Sequence, residues 1–214
     1  MGWQFEIDTL YLKKEVELVS MNFSNYFSRY AWSELPLISG LVMTLGLIMT
    51  PGTGALAQSE EEMSECNQFA ASVNRNQAIM ATFEREIETF STNASLAGTL
   101  AEITTAASQY VEAVDEVTTN LDNLANDLAS RDFVDSQLTT YRDGYVTVVV
   151  GFNNALGVVS EAMAMVAAAA TEDELSDSLE SVASNASAAI EQIETLAVDE
   201  SNLIDEVNLY CGVE

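Results

Sequence analysis

The stretch "LAGTLAEITTAASQYVEAVDEVTTNLDNLANDL", residues 96–128, decides the fold. Its members Leu96, Leu100, Ile103, Ala107, Tyr110, Val114, Val117, Leu121, Leu124 and Leu128 alternate steps of four and three without a break. That spacing puts them on one stripe of an α-helix, in the heptad pattern of helices that pack along their length. Thr, Ser, Asn, Asp and Glu lie between them, so the opposite face is built for water.

Working outward, the same pattern recurs on both sides. Upstream, Cys66, Phe69, Val73, Asn76, Met80, Phe83, Ile87 and Phe90 form a seam with one polar member, Asn76. Downstream, Leu138, Tyr141, Tyr145, Val148, Phe152, Ala155 and Val159 form another, continued by Met163 and Val166 after a one-residue shift. The last runs through Leu175, Leu179, Val182, Ala186, Ala189, Ile193, Leu196, Leu203, Val207 and Tyr210, with Glu200 at one seam position. A buried lone charge is costly, so Glu200 is expected to mark a local rotation that turns it outward. Asn76 reads as a register residue rather than a ligand.

The breaks carry helix start and stop chemistry. "STNAS" at 91–95 reads as a polar turn, with Thr99 and Glu102 available for a capping box just beyond it. Asp132 and Asp135 are candidate N-caps for the third helix, and Thr171 with Glu174 forms a capping box for the fourth. Helices are expected at about 59–91, 95–130, 134–170 and 172–210. Four helices with short links predict an all-α fold: an antiparallel up-down-up-down four-helix bundle in which each seam faces the others. Gly144 and Gly151, seven residues apart, share a face and predict a close approach of a neighbouring helix, while Gly157 lies off that face. The Ala- and Met-rich run 161–171 reads as core packing.

The bundle spans residues 58–214, and the region before it reads as an export signal. An uncharged apolar run, residues 35–49, follows Arg29 and is broken by Pro51-Gly52 before Ala55-Leu56-Ala57. That is the order of a secretory signal, and about 15 residues span roughly 22 Å, short of a bilayer core. The signal is assigned to 21–57, with cleavage near Ala57–Gln58 and a periplasmic or extracellular destination. Residues 1–20 are an extra segment that makes Met21 a candidate for the true start. No cysteine follows the apolar run at a lipidation position.

Cleavage would leave four arginines, Arg75, Arg85, Arg131 and Arg142, no lysine and 29 acidic residues, a net charge of about −25. Such a chain lacks the clustered cations that nucleic acid or an anionic membrane surface requires. A basic protein or a cation is the partner class it admits, and the heptad seams admit either a monomer or a homo-oligomer. Export and topology predict a disulfide between Cys66 and Cys211, which an even number of long helices would return to the same end.

The chain contains no histidine. This removes Ser/His/Asp triads, Cys/His dyads and the Glu-x-x-His elements that hold two metals in bundles. The dense acids at 60–65, 172–177 and 199–200 lack the order of a Ca²⁺ loop, and both "NAS" sequons, at 93–95 and 185–187, read as chance. No catalytic residue, cofactor or metal site is therefore assigned. The expectation is an exported, non-enzymatic acidic bundle serving as a structural, spacer or interaction module. The alternatives are a carrier or sensor of a small apolar ligand and a weak Ca²⁺ binder.

Overall fold

The computed structural model describes residues 60–212, with side chains from residue 63 onward. The extra segment 1–20, the signal segment 21–57 and the cleavage point Ala57–Gln58 lie outside the described residues. Within them the chain forms four helices: α1 (Glu60–Leu96), α2 (Leu100–Ala129), α3 (Ser136–Ala168) and α4 (Glu172–Tyr210). They pack against one another, most closely α2 with α3 and α3 with α4, less closely α1 with α2. The α1/α4 edge is the loosest of the sequential or chain-closing pairs.

The core is built from the predicted stripes. Phe69, Met80 and Phe83 of α1, Val114, Leu121, Leu124 and Leu128 of α2, Tyr145, Phe152 and Leu156 of α3, and Leu175 and Ile193 of α4 are all buried. Because α3 touches both α2 and α4, it needs apolar side chains on two sides. This explains why it is also long and apolar enough to cross a membrane by length and composition, with half of that window buried in the protein.

Several boundaries differ from the sequence reading, and α2 begins at Leu100 rather than near residue 95. α1 does not stop at "STNAS" but continues to Leu96. The polar side chains there bond inside the helix, Thr92 Oγ1 to the Glu88 carbonyl at 2.9 Å and Ser95 Oγ to the Thr92 carbonyl at 2.8 Å. Buried Ala94 pins the same turn to the core. Leu96 therefore belongs to the end of α1 rather than to the next seam, and it is 78% exposed. The third helix is shorter than expected at both ends, running from Ser136 to Ala168.

The caps explain where the helices begin. Thr99 and Glu102 form a reciprocal capping box on α2. Asp135 caps α3 by accepting from the N–H groups of Gln137 and Leu138 at 2.7 and 2.9 Å. At α4, Thr171 Oγ1 accepts from the Glu174 N–H, but the Glu174 carboxylate accepts from Ala170 N–H, one residue earlier than in the box expected. Each cap satisfies N–H groups that the first helical turn leaves open.

Gly144 and Gly151 do face a neighbouring helix. A Cβ on Gly151 would stand 2.6 Å from Leu196 Cδ2, and one on Gly144 would stand 3.5 Å from Leu203 Cδ1. Nothing lies within 4 Å of a Cβ built on Gly157. Gly157→Ala is therefore expected to stabilise the protein by about 0.5–1 kcal/mol through helix propensity. In Gly151→Ala the displacement of Leu196 offsets that gain, and thermal unfolding of the two variants measures the difference.

Candidate functional site

Three features stand out from the apolar packing. The first is the end of the bundle where the cysteines meet. The Cys66 and Cys211 sulfurs lie at disulfide distance with Cα atoms 6.0 Å apart, so the pair named from topology is brought together. Beside it the Glu65 carboxylate, 7% exposed, accepts from the N–H groups of Val134 at 2.6 Å and Asp135 at 3.2 Å. Tyr210 donates to Asp135 Oδ2 at 2.7 Å, and its ring meets Tyr141 edge-on at 5.9 Å. Arg131 donates to the Gln68 carbonyl, and Arg142 donates to the Arg131 carbonyl. The start of α1, the α2–α3 link and the end of α4 are thus held together. The Tyr210 hydrogen bond, followed by the Leu138 N–H, keeps the Asp135 carboxyl below its ordinary range.

The second feature is a groove of about 510 Å³ between α1 and α2. Ile79, Ala78, Ala113 and Val117 contribute its apolar lining, and Glu86, Glu112 and Glu116 supply carboxylates. Arg75 also lines it and is bridged to Asp127 at 2.5 Å. Sequence reasoning missed this groove. The available signal was Ala78 and Ala113, two small residues off the seams, where neighbouring helices leave space instead of filling it.

The third feature corrects the expectation for Glu200. It is not turned outward but is 1% exposed, and it forms a cluster with Asn76 of α1 and Tyr145 of α3. Glu200 Oε1 accepts from Asn76 Nδ2 at 2.9 Å and from the Tyr145 hydroxyl at 2.6 Å. Burial pushes the Glu200 carboxyl above its ordinary range, against the pull of the two donated hydrogen bonds. Burial, and then the nearby carboxylate, push the Tyr145 hydroxyl well above its own. Glu200 stays inside because both partners come from other helices. Helical periodicity cannot register contacts between residues 55 and 124 positions apart.

Among the described residues no three carboxylate or thiolate groups are placed to hold one metal ion. There are two ion pairs among them, Arg75–Asp127 and Arg142–Asp143. Met163 and Val166 of the Ala/Met run pack in the core beside Phe90, Leu179 and Val182, around a cavity of about 10 Å³. Compared with protein families, curated proteins and solved structures, the chain matches no family model, no curated sequence and no solved structure.

Proposed function

We propose that the chain is an exported, non-enzymatic acidic bundle whose helices run up-down-up-down and whose surface serves as a structural, spacer or interaction module. The observation that carries this reading is the imbalance at the surface. Carboxylates crowd the wet helix faces, yet among the described residues ion pairs engage Asp127 and Asp143 alone. Unpaired surface charge of one sign favours solubility and long-range attraction of opposite charge. Helices of 30–39 residues are about 45–58 Å long, a suitable span for a spacer.

The alternating direction is supported by the shared end, where residues 65 and 66 meet residues 134, 135 and 211. The groove between α1 and α2 is the part of this surface best shaped for a basic partner, since its rim is acidic and its floor apolar. An apolar-ligand carrier draws less support, because the apolar cavity beside Met163 holds about 10 Å³ where such ligands need about 300–1,000 Å³, and the larger groove between α1 and α2 is lined by Arg75 and three glutamates.

Mass spectrometry of the protein in fractions of its native host tests this proposal. A mature chain beginning at Gln58 in the envelope or exterior fraction is the expected result. An intact Met1 in the cytoplasmic fraction would overturn the assignment.

A further inference from the structure

The cluster of Asn76, Tyr145 and Glu200 has fewer donors than its acceptors require. Its donors are the Asn76 amide and the Tyr145 hydroxyl, and one N–H of the amide and the hydroxyl proton both go to Glu200 Oε1. Glu200 Oε2 and Asn76 Oδ1 are buried with no hydrogen-bond partner. An ionised carboxylate here would hold its charge out of water with one oxygen unsolvated, which is among the costliest arrangements a core can contain. One more proton removes the charge and supplies the missing donor.

The location matters as much as the chemistry. Asn76 lies ten residues beyond Cys66, Tyr145 ten beyond the Asp135 cap and Glu200 eleven before Cys211. At 1.5 Å per residue all three sit about 15 Å from the joined end. The Asn76–Glu200 bond crosses the α1/α4 edge, where the helices otherwise approach least closely. Among the described residues no cation pairs with the carboxylate. Arg75 is turned to Asp127, Arg142 is engaged by Asp143 and the Arg131 carbonyl, and α2 brings apolar residues such as Leu121 and Leu124 to the core. The groups acting on Glu200 are Tyr145 from α3 and the uncharged Asn76 from α1.

We propose that Asn76, Tyr145 and Glu200 form a proton-operated latch: a protonated Glu200 closes α1 against α3 and α4, and release of that proton to solvent loosens this edge while the Cys66–Cys211 link holds the end. The direction follows from proton linkage. Glu200 has its ordinary carboxyl value near 4.5 in the unfolded chain and a higher one when folded, so the folded state binds the extra proton. Stability is then greatest below about pH 4.5 as far as this group is concerned. It falls as pH rises through the interval up to the folded value, by at most about tenfold in the folding equilibrium per pH unit.

The test is denaturant unfolding of the intact, disulfide-closed chain and of Glu200→Gln between about pH 4 and pH 8 at fixed high ionic strength. Surface acids titrate in both proteins, so the difference isolates Glu200. The expected result is that wild type loses up to about tenfold in folding equilibrium per pH unit relative to the variant over that interval. Amide exchange around Asn76 should quicken with pH in wild type beyond the intrinsic increase seen in the variant. Parallel pH profiles would overturn the proposal. Should the variant fail to fold, carbon-13 titration of the Glu200 carboxyl in wild type decides the matter, with an ordinary carboxylate titration counting against the latch. Replacing sodium by choline at about pH 7 separates proton from metal. A loss of stability confined to the protein with Glu200 would assign the charge compensation to a bound cation and overturn the proton.

Discussion

Reduction of the Cys66–Cys211 pair is expected to lower the unfolding free energy by about 4–5 kcal/mol, the loop-entropy value for a link closing more than one hundred residues. The two cysteines are 145 residues apart, so the cross-link removes more freedom from the unfolded chain than a local bridge would. Glu65, Asp135 and Tyr210 hold the same end non-covalently, which keeps the reduced protein folded near its native register. Denaturant unfolding with and without reductant measures the loss, and the Cys66→Ser/Cys211→Ser double variant should reproduce the reduced protein. Equal midpoints would mean that the thiols are not joined or that the unfolded chain stays compact at this end.

Salt is expected to stabilise the protein as well, by a smaller amount. Raising ionic strength from about 0.01 M to about 1 M shortens the screening length from roughly 30 Å to roughly 3 Å, inside the spacing of most surface charges. Glu84 with Glu88, Glu112 with Glu116 and Asp173 with Asp177 are like-charged neighbours one helical turn apart, each costing about 0.2–0.5 kcal/mol unscreened. Across the groove Glu86 adds repulsion between α1 and α2. The Glu84 carboxyl records the same crowding, since burial and then Glu88 raise it above its ordinary range. Together the three pairs predict a gain of roughly 0.6–1.5 kcal/mol on adding salt, read as a shift in thermal or urea unfolding. A protein indifferent to salt would mean that the unfolded chain repels itself equally.

Much of the architecture was legible because it is local. The alternation of threes and fours from Leu100 to Leu128 places a stripe on α2, its counterparts do so on the other helices, and the caps at Thr99, Asp135 and Thr171 are encoded within four residues of where they act. The end of α1 is hidden in the sequence because Ser, Thr and Asn resemble a turn in composition. Their hydroxyls instead bond back to the preceding helical turn, and Ala94 gains burial by remaining helical. Cys66 and Cys211 could be paired by counting helices. The same counting places Asn76 and Glu200 at one level of the bundle, so the two polar seam positions were available as a pair. Taken alone, a single charge in a core argues for exposure. The groove had no comparable signature, because a gap between helices depends on how two faces splay rather than on any one residue.

The separation of Cys66 from Cys211 also sets a clock on assembly. A chain made at about 5–20 residues per second leaves Cys66 waiting roughly 7–30 seconds for its partner to emerge. Throughout that interval the thiol belongs to an incomplete molecule, open to attack by a second nascent copy or by an exchange catalyst. Intermolecular pairing is therefore a hazard of crowded synthesis. The yield of monomer depends on how quickly the last turn of α4 reaches the first turn of α1.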